Sequence, residues 1–167
     1  PEDEYRYLAE AVGGSYISIS LNSSHHINPF SLQANKEESM EEILRSNTAD
    51  LVGLFRLMLG NITPEEETVL GRAIEETYSI RDINKKTNIE DLPQKTMPLL
   101  IDFHEILKNM EGGESLAMRV EKYTQGIYKG FLNQPSNIVL KNRLIVFNIR
   151  DLEDELRPIA MYLILKY

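Results

Sequence analysis

The sequence contains no cysteine and only three histidines among its 167 residues. Disulfides and thiolate metal sites are therefore excluded, while the compartment stays open because cysteine-free chains occur everywhere. Positive charge is scarce: 18 lysines and arginines stand against 26 aspartates and glutamates, a formal net charge of -8. Such a surface repels phosphate backbones, so duplex DNA is not the first partner expected. Long apolar runs are missing too. The longest, Ile159 to Leu165, is far below the roughly 18 residues a helix needs to cross a bilayer. Nor is there a phosphate cradle. The pattern G-x-x-x-x-G-K-S/T occurs nowhere, and Gly13-Gly14 leads into a predicted strand instead of out of one, so its amides cannot sit at a helix N-terminus. By itself the chain is expected to bind nucleotide poorly.

What is present is an ordinary globular mixture, 42% hydrophobic and 26% charged, enough for one real core. Tyr5, Leu8, Ala9 and Val12 recur at helical spacing over Glu2 to Val12, and Gly13-Gly14 stop that helix. "SYISISL" alternates, with Ile17, Ile19 and Leu21 on one side, which predicts a strand with one dry face. "NSSHHINPF" reads as a loop. Glu37 to Leu59 is predicted helical through Met40, Ile43, Leu44, Leu51, Leu54, Phe55 and Met58, with a break expected near Ser46-Asn47 and a stop at Gly60. Thr63, Pro64 and Glu66 together make a helix start with a capping box. That helix shows Val69, Leu70, Ala73, Ile74 and Tyr78 on one side and gives way to a polar loop with one turn, "RDINKKTNIEDLPQ". Thr96 and Pro98 predict another helix with the face Leu99, Phe103, Ile106, Leu107 and Met110, ended by Gly112-Gly113. Ser115 starts the next, carrying Leu116, Val120, Tyr123, Ile127 and Phe131.

The last third changes character. Leu144 to Ile149 is a nearly unbroken apolar run, the pattern of a strand covered on both faces in a parallel sheet. "RDLEDE" supplies a helix start, and Pro158 falls where a first turn tolerates it. Strand then helix is two-thirds of a βαβ unit. The expectation is of a chain interrupted inside an α/β crossover.

Candidate chemistry is sparse. Adjacent His25 and His26 point to opposite sides of an extended segment and lack metal-ligand spacing, so a solvated loop is the reading. His104 lies among polar positions of its helix and is expected at the surface. "SISLNSS" has no G-x-S-x-G elbow. Glu37-Glu38 and Glu65-Glu66-Glu67 are expected in first turns, where they favour the positive end of the helix dipole.

Several stretches together carry a resemblance. "PEDEY" (1–5), "INPF" (27–30), "ITPEEETVLGRAIEETY" (62–78), "MPLLIDFHEILK" (97–108) and "FLNQPSNIVLKNRLIVFNIRDLEDELRPIAMYLI" (131–164), in this order, resemble the VirB-four (TrbE/TraC-like) ATPases of type IV secretion and conjugation, of the FtsK/HerA superfamily. The resemblance implies α/β parentage with a mostly α-helical fragment: a RecA-like core segment following Walker A over 1–35, an all-helical insertion over 36–132, and a core strand and helix preceding Walker B over 133–167. It implies ATP and magnesium for the full protein and none for the fragment, with Glu2 and Glu4 near the γ-phosphate or its attacking water. First-turn helix acids are the plainer account of that pair. Arg157 could serve a neighbouring subunit as a charge-stabilising finger, but pairing with Glu153 or Asp154 is the better expectation. Partners implied are other secretion subunits and further copies of the chain, at the inner face of the bacterial membrane, reached through partners and without direct nucleic-acid binding. The family pattern has aspartate where Asn148 stands and glycine where Asp3 stands. A stand-alone helical interaction module that never meets nucleotide is the alternative.

Overall fold

The computed structural model describes residues 3–166. Its elements are helix α1 (Asp3–Ala11), strand β1 (Ser15–Ser18), helices α2 (Met40–Leu59) and α3 (Pro64–Ser79), a 3-10 turn (Ile89–Gln94), helices α4 (Leu100–Asn109) and α5 (Glu114–Thr124), strand β2 (Ile145–Asn148) and helix α6 (Arg157–Lys166). About half of the described residues are helical, and they include one small parallel sheet.

Local chemistry sets the helix starts. Thr63 caps α3: its hydroxyl accepts the Glu66 amide at 3.2 Å while the Glu66 carboxylate accepts the Thr63 amide at 3.0 Å, with Pro64 at the first helical position. The same reciprocal box, Ser39 with Glu42, starts α2 at Met40. Glu37 and Glu38 therefore lie ahead of the helix, and the first-turn acids are Glu41 and Glu42. α2 runs through Ser46-Asn47 without a break and ends at Gly60, whose φ of 77° a side chain would resist.

Other boundaries differ from the sequence expectation as well. α4 begins at Leu100, not near Thr96, because its first amides are satisfied from elsewhere: Ile101 donates to Asn133 Oδ1 at 2.9 Å, while Asp102 accepts the Leu99 amide at 2.8 Å. α5 stops at Thr124, so Ile127 falls past its end, 76% exposed. "RDLEDE" forms turns instead of helix, and α6 starts at Arg157.

β1 and β2 pair in parallel, Ile17 opposite Phe147 and Ser18 opposite Asn148. The sheet divides two layers. Ile17 and Ile19 are buried in the core, with Ile145, Phe147 and Ile149 packed on it, while α1 packs on the sheet and places the Arg6 guanidinium 5.9 Å from the centre of the Tyr16 ring. β2 is only partly buried throughout, so the expected double covering is not provided by the described residues.

One continuous core joins the strands to α2, α3, α4, α5 and α6. At its centre Phe55 stacks on Phe103, centroids 4.5 Å apart and planes 14° from parallel, with Phe30 tilted against both. Burial strongly raises the pKa of the Tyr78 phenol, which donates to the Phe30 carbonyl at 3.0 Å and accepts from Asn47. His104 is not at the surface: it is 3% exposed and its Nδ1 meets the Thr124 hydroxyl at 2.9 Å.

Candidate functional site at the carboxyl ends of the strands

In open α/β sheets ligands collect in the crevice beyond the carboxyl ends of parallel strands. Here that crevice is a cleft of about 540 Å³ between the strand ends and the start of α1. Tyr5 and Arg6 reach it from α1, Tyr16 and Ser18 from β1, His25 from the following loop, and Asn148, Arg150 and Asp151 from the end of β2.

Its internal geometry is mostly backbone support. Asn148 Oδ1 accepts the Arg150 amide at 3.1 Å and its Nδ2 faces Ser18 Oγ at 3.4 Å, so the side chain turns the backbone just after the strand. His25 Nδ1 lies 3.2 Å from the Ser18 carbonyl, which can only accept, so Nδ1 carries the proton. Arg6 Nε donates to Glu10 at 3.2 Å. Ser23 donates to the His25 carbonyl, not to the ring, so it forms no serine–histidine dyad there. Among the described residues no group of three histidines or carboxylates could hold a metal ion.

Of the predicted site residues, Glu2 lies outside the described residues. Glu4 sits exposed in the first turn of α1, next to Tyr5 at the rim of the cleft. His26 is brought elsewhere, its amide donating to Asn137. Arg157 is engaged within its own segment: Nε donates to the Leu152 carbonyl at 3.1 Å, Nη2 to Arg150 at 2.9 Å, and Nη1 pairs with Asp154 at 2.7 Å. The expected pairing with Asp154 is present.

Sequence reasoning passed over a second group of residues that positions this cleft relative to the helices. The two irregular connections, from β1 to α2 and from α5 to β2, are zipped by side chains. Asn137 Oδ1 accepts the His26 amide at 2.7 Å and its Nδ2 donates to the Ser24 carbonyl at 2.5 Å. Ser136 Oγ accepts the Asn28 amide at 2.7 Å, and buried Asn28 donates to the Pro98 carbonyl at 2.8 Å. "INPF" and "NQPSN", separated by about a hundred residues, thus form one seam on the N-terminus of α4. Their only sequence signal was membership in quoted motifs.

No family model matches the chain, and no curated protein matches it. Among solved structures, that of VirB4 of Thermoanaerobacter pseudethanolicus superposes over 99% of this chain with a TM-score of 0.81 at 22% identity. The chain has the VirB4 fold. It spans 45% of the length of that VirB4 chain. The likeness covers the two strands, the helices between them and α6 together, so the helical stretch and the sheet belong to one VirB4-like arrangement.

Proposed function

We propose that this chain is the helical insertion, with flanking core pieces, of a type IV secretion ATPase of the VirB-four kind. The observation that carries the reading is the superposition on VirB4 over 99% of the chain, in the same order as the motifs that resemble the family. Exposed apolar surface supports it: Leu8 on α1 and Val12 just after it, beside a two-stranded sheet, and Met161 and Leu165 on α6 stand in solvent. Further parallel strands would cover such faces.

In this reading the whole polypeptide hydrolyses ATP with magnesium to drive substrate transfer or pilus assembly, and works at the inner face of the membrane with other secretion subunits and copies of itself. Among the described residues there is neither a phosphate cradle nor a cation donor set, so they do not fit ATP and magnesium alone, and no contact to either is assigned to them. Their part is conformational, as a body of packed helices that shifts with the nucleotide cycle. The resemblance to the family, not the geometry, is what suggests Glu4 as a group that helps orient the attacking water.

The test is magnesium-dependent ATP turnover by the natural polypeptide that contains this chain. Turnover is expected there, and Glu4→Gln is expected to lower kcat more than KM. Calorimetry on the present chain should show no ATP binding; micromolar affinity would overturn the reading.

A further inference from the structure

In a βα unit the helix ordinarily packs back on the sheet that contains its strand. α6 follows β2, yet its principal neighbour is α2. The Tyr162 hydroxyl donates to the Asp50 carbonyl at 3.0 Å, and Lys166 Nζ pairs with Asp50 Oδ1 at 2.7 Å. Gly53 of α2 completes the fit, since a Cβ there would collide with the Tyr162 hydroxyl. Glycine is unfavourable inside a helix, and here its missing side chain is what lets the ring lie across α2. A second tie precedes α6: Glu155 pairs with Lys122 of α5 and accepts the Tyr128 hydroxyl at 2.9 Å.

The other side of β2 is held more weakly. The sheet is two four-residue strands in which Ile17 alone is fully buried, β2 is nowhere fully buried, and in α1 Ala9 is fully buried while Tyr5, Tyr7 and Leu8 are exposed. Few buried apolar contacts mean a low local opening free energy.

We infer that α6 belongs mechanically to the helical body, so that α2 to α6 open and move as one cooperative unit, while α1, β1 and β2 form a separate and weaker one. The segment 149–156 between them is a stiff joint. Arg157 holds the carbonyls of Arg150 and Leu152 and the carboxylate of Asp154, so a displacement of the β2 end is passed to α6 and through Asp50 to α2. This partition does not rest on the ATPase reading and is tested on the chain itself.

The experiment is native-state hydrogen exchange of the whole chain, read by mass spectrometry at peptide resolution. α6 amides should match those of α2 within about threefold in protection, with α1 and the strands exchanging at least about tenfold faster. Gly53→Ala, which forces Tyr162 away, should lower protection of α6 and α2 together. The inference is overturned if α6 exchanges with the strands, or if Gly53→Ala releases α6 and leaves α2 unchanged; should that variant fail to fold, the unsubstituted chain alone decides.

Discussion

Replacing Arg119 by alanine should destabilise the protein by about 2 kcal/mol, although the residue touches neither the strand-end cleft nor the aromatic centre of the core. Its guanidinium, on α5, donates through Nη1 to the carbonyls of Leu59 at 3.1 Å and Asn61 at 2.9 Å, and pairs through Nη2 with Glu66. Leu59 is the last residue of α2, where carbonyls lack helical partners and carry the negative end of the dipole. Glu66 is the capping-box carboxylate of α3, held below the usual carboxylate range by the Thr63 amide first and then by Arg119. One side chain thus closes the α2–α3 turn from both sides. Hydrogen bonds to a charged group contribute roughly 1.5–3 kcal/mol each when dry. The arginine and glutamate side chains are 29% and 18% exposed, so water replaces part of that loss and about 2 kcal/mol in total remains. For a chain of this size that corresponds to a fall in Tm of about 4–8 °C, followed by circular dichroism. Arg119→Lys keeps the charge but not the fork, and should recover less than half of the loss. A Tm unchanged by Arg119→Ala, or full recovery with lysine, would refute the assignment.

Stability should fall as pH drops below about 6.5, the ordinary histidine value, because burial first and then Lys108 depress the His104 pKa. The unfolded chain then binds the extra proton, so this contribution is full above that pH and lost below it; His104→Gln should flatten the dependence of the urea midpoint on pH. Phe55→Ala removes a fully buried ring stacked on Phe103 and should cost about 3–5 kcal/mol in urea unfolding. Asn133→Ala leaves the Ile101 amide without its side-chain acceptor and should cost about 1 kcal/mol, with lost exchange protection confined to the first turn of α4.

The features legible in the sequence are those whose causes are local. Thr63, Pro64 and Glu66 lie within four residues, and their hydrogen bonds form whatever packs above them. The alternation of Ile17 and Ile19 and the apolar run at β2 likewise announce strands, and their parallel pairing is present. His104 misled because its own helix surrounds it with Asp102, Glu105 and Lys108, while Thr124, which covers it, comes from the neighbouring α5. Ile127 misled because apolar spacing continued past the end of α5. The asparagine seam and the Arg119 clamp were illegible for one reason: their partners lie 53 to 113 residues away and are mostly backbone groups, which no spacing rule reveals. For the cleft, the sequence suggested carboxylates at the start of α1, but not that Tyr16, His25 and Asn148 would converge beside it.

The most direct measurement is an experimental structure of the natural polypeptide that contains this chain. Further parallel strands are expected to extend the β1–β2 sheet, with Met161 and Leu165 of α6 covered. A sheet that remains two-stranded, with the outer face of α6 in solvent, would contradict it.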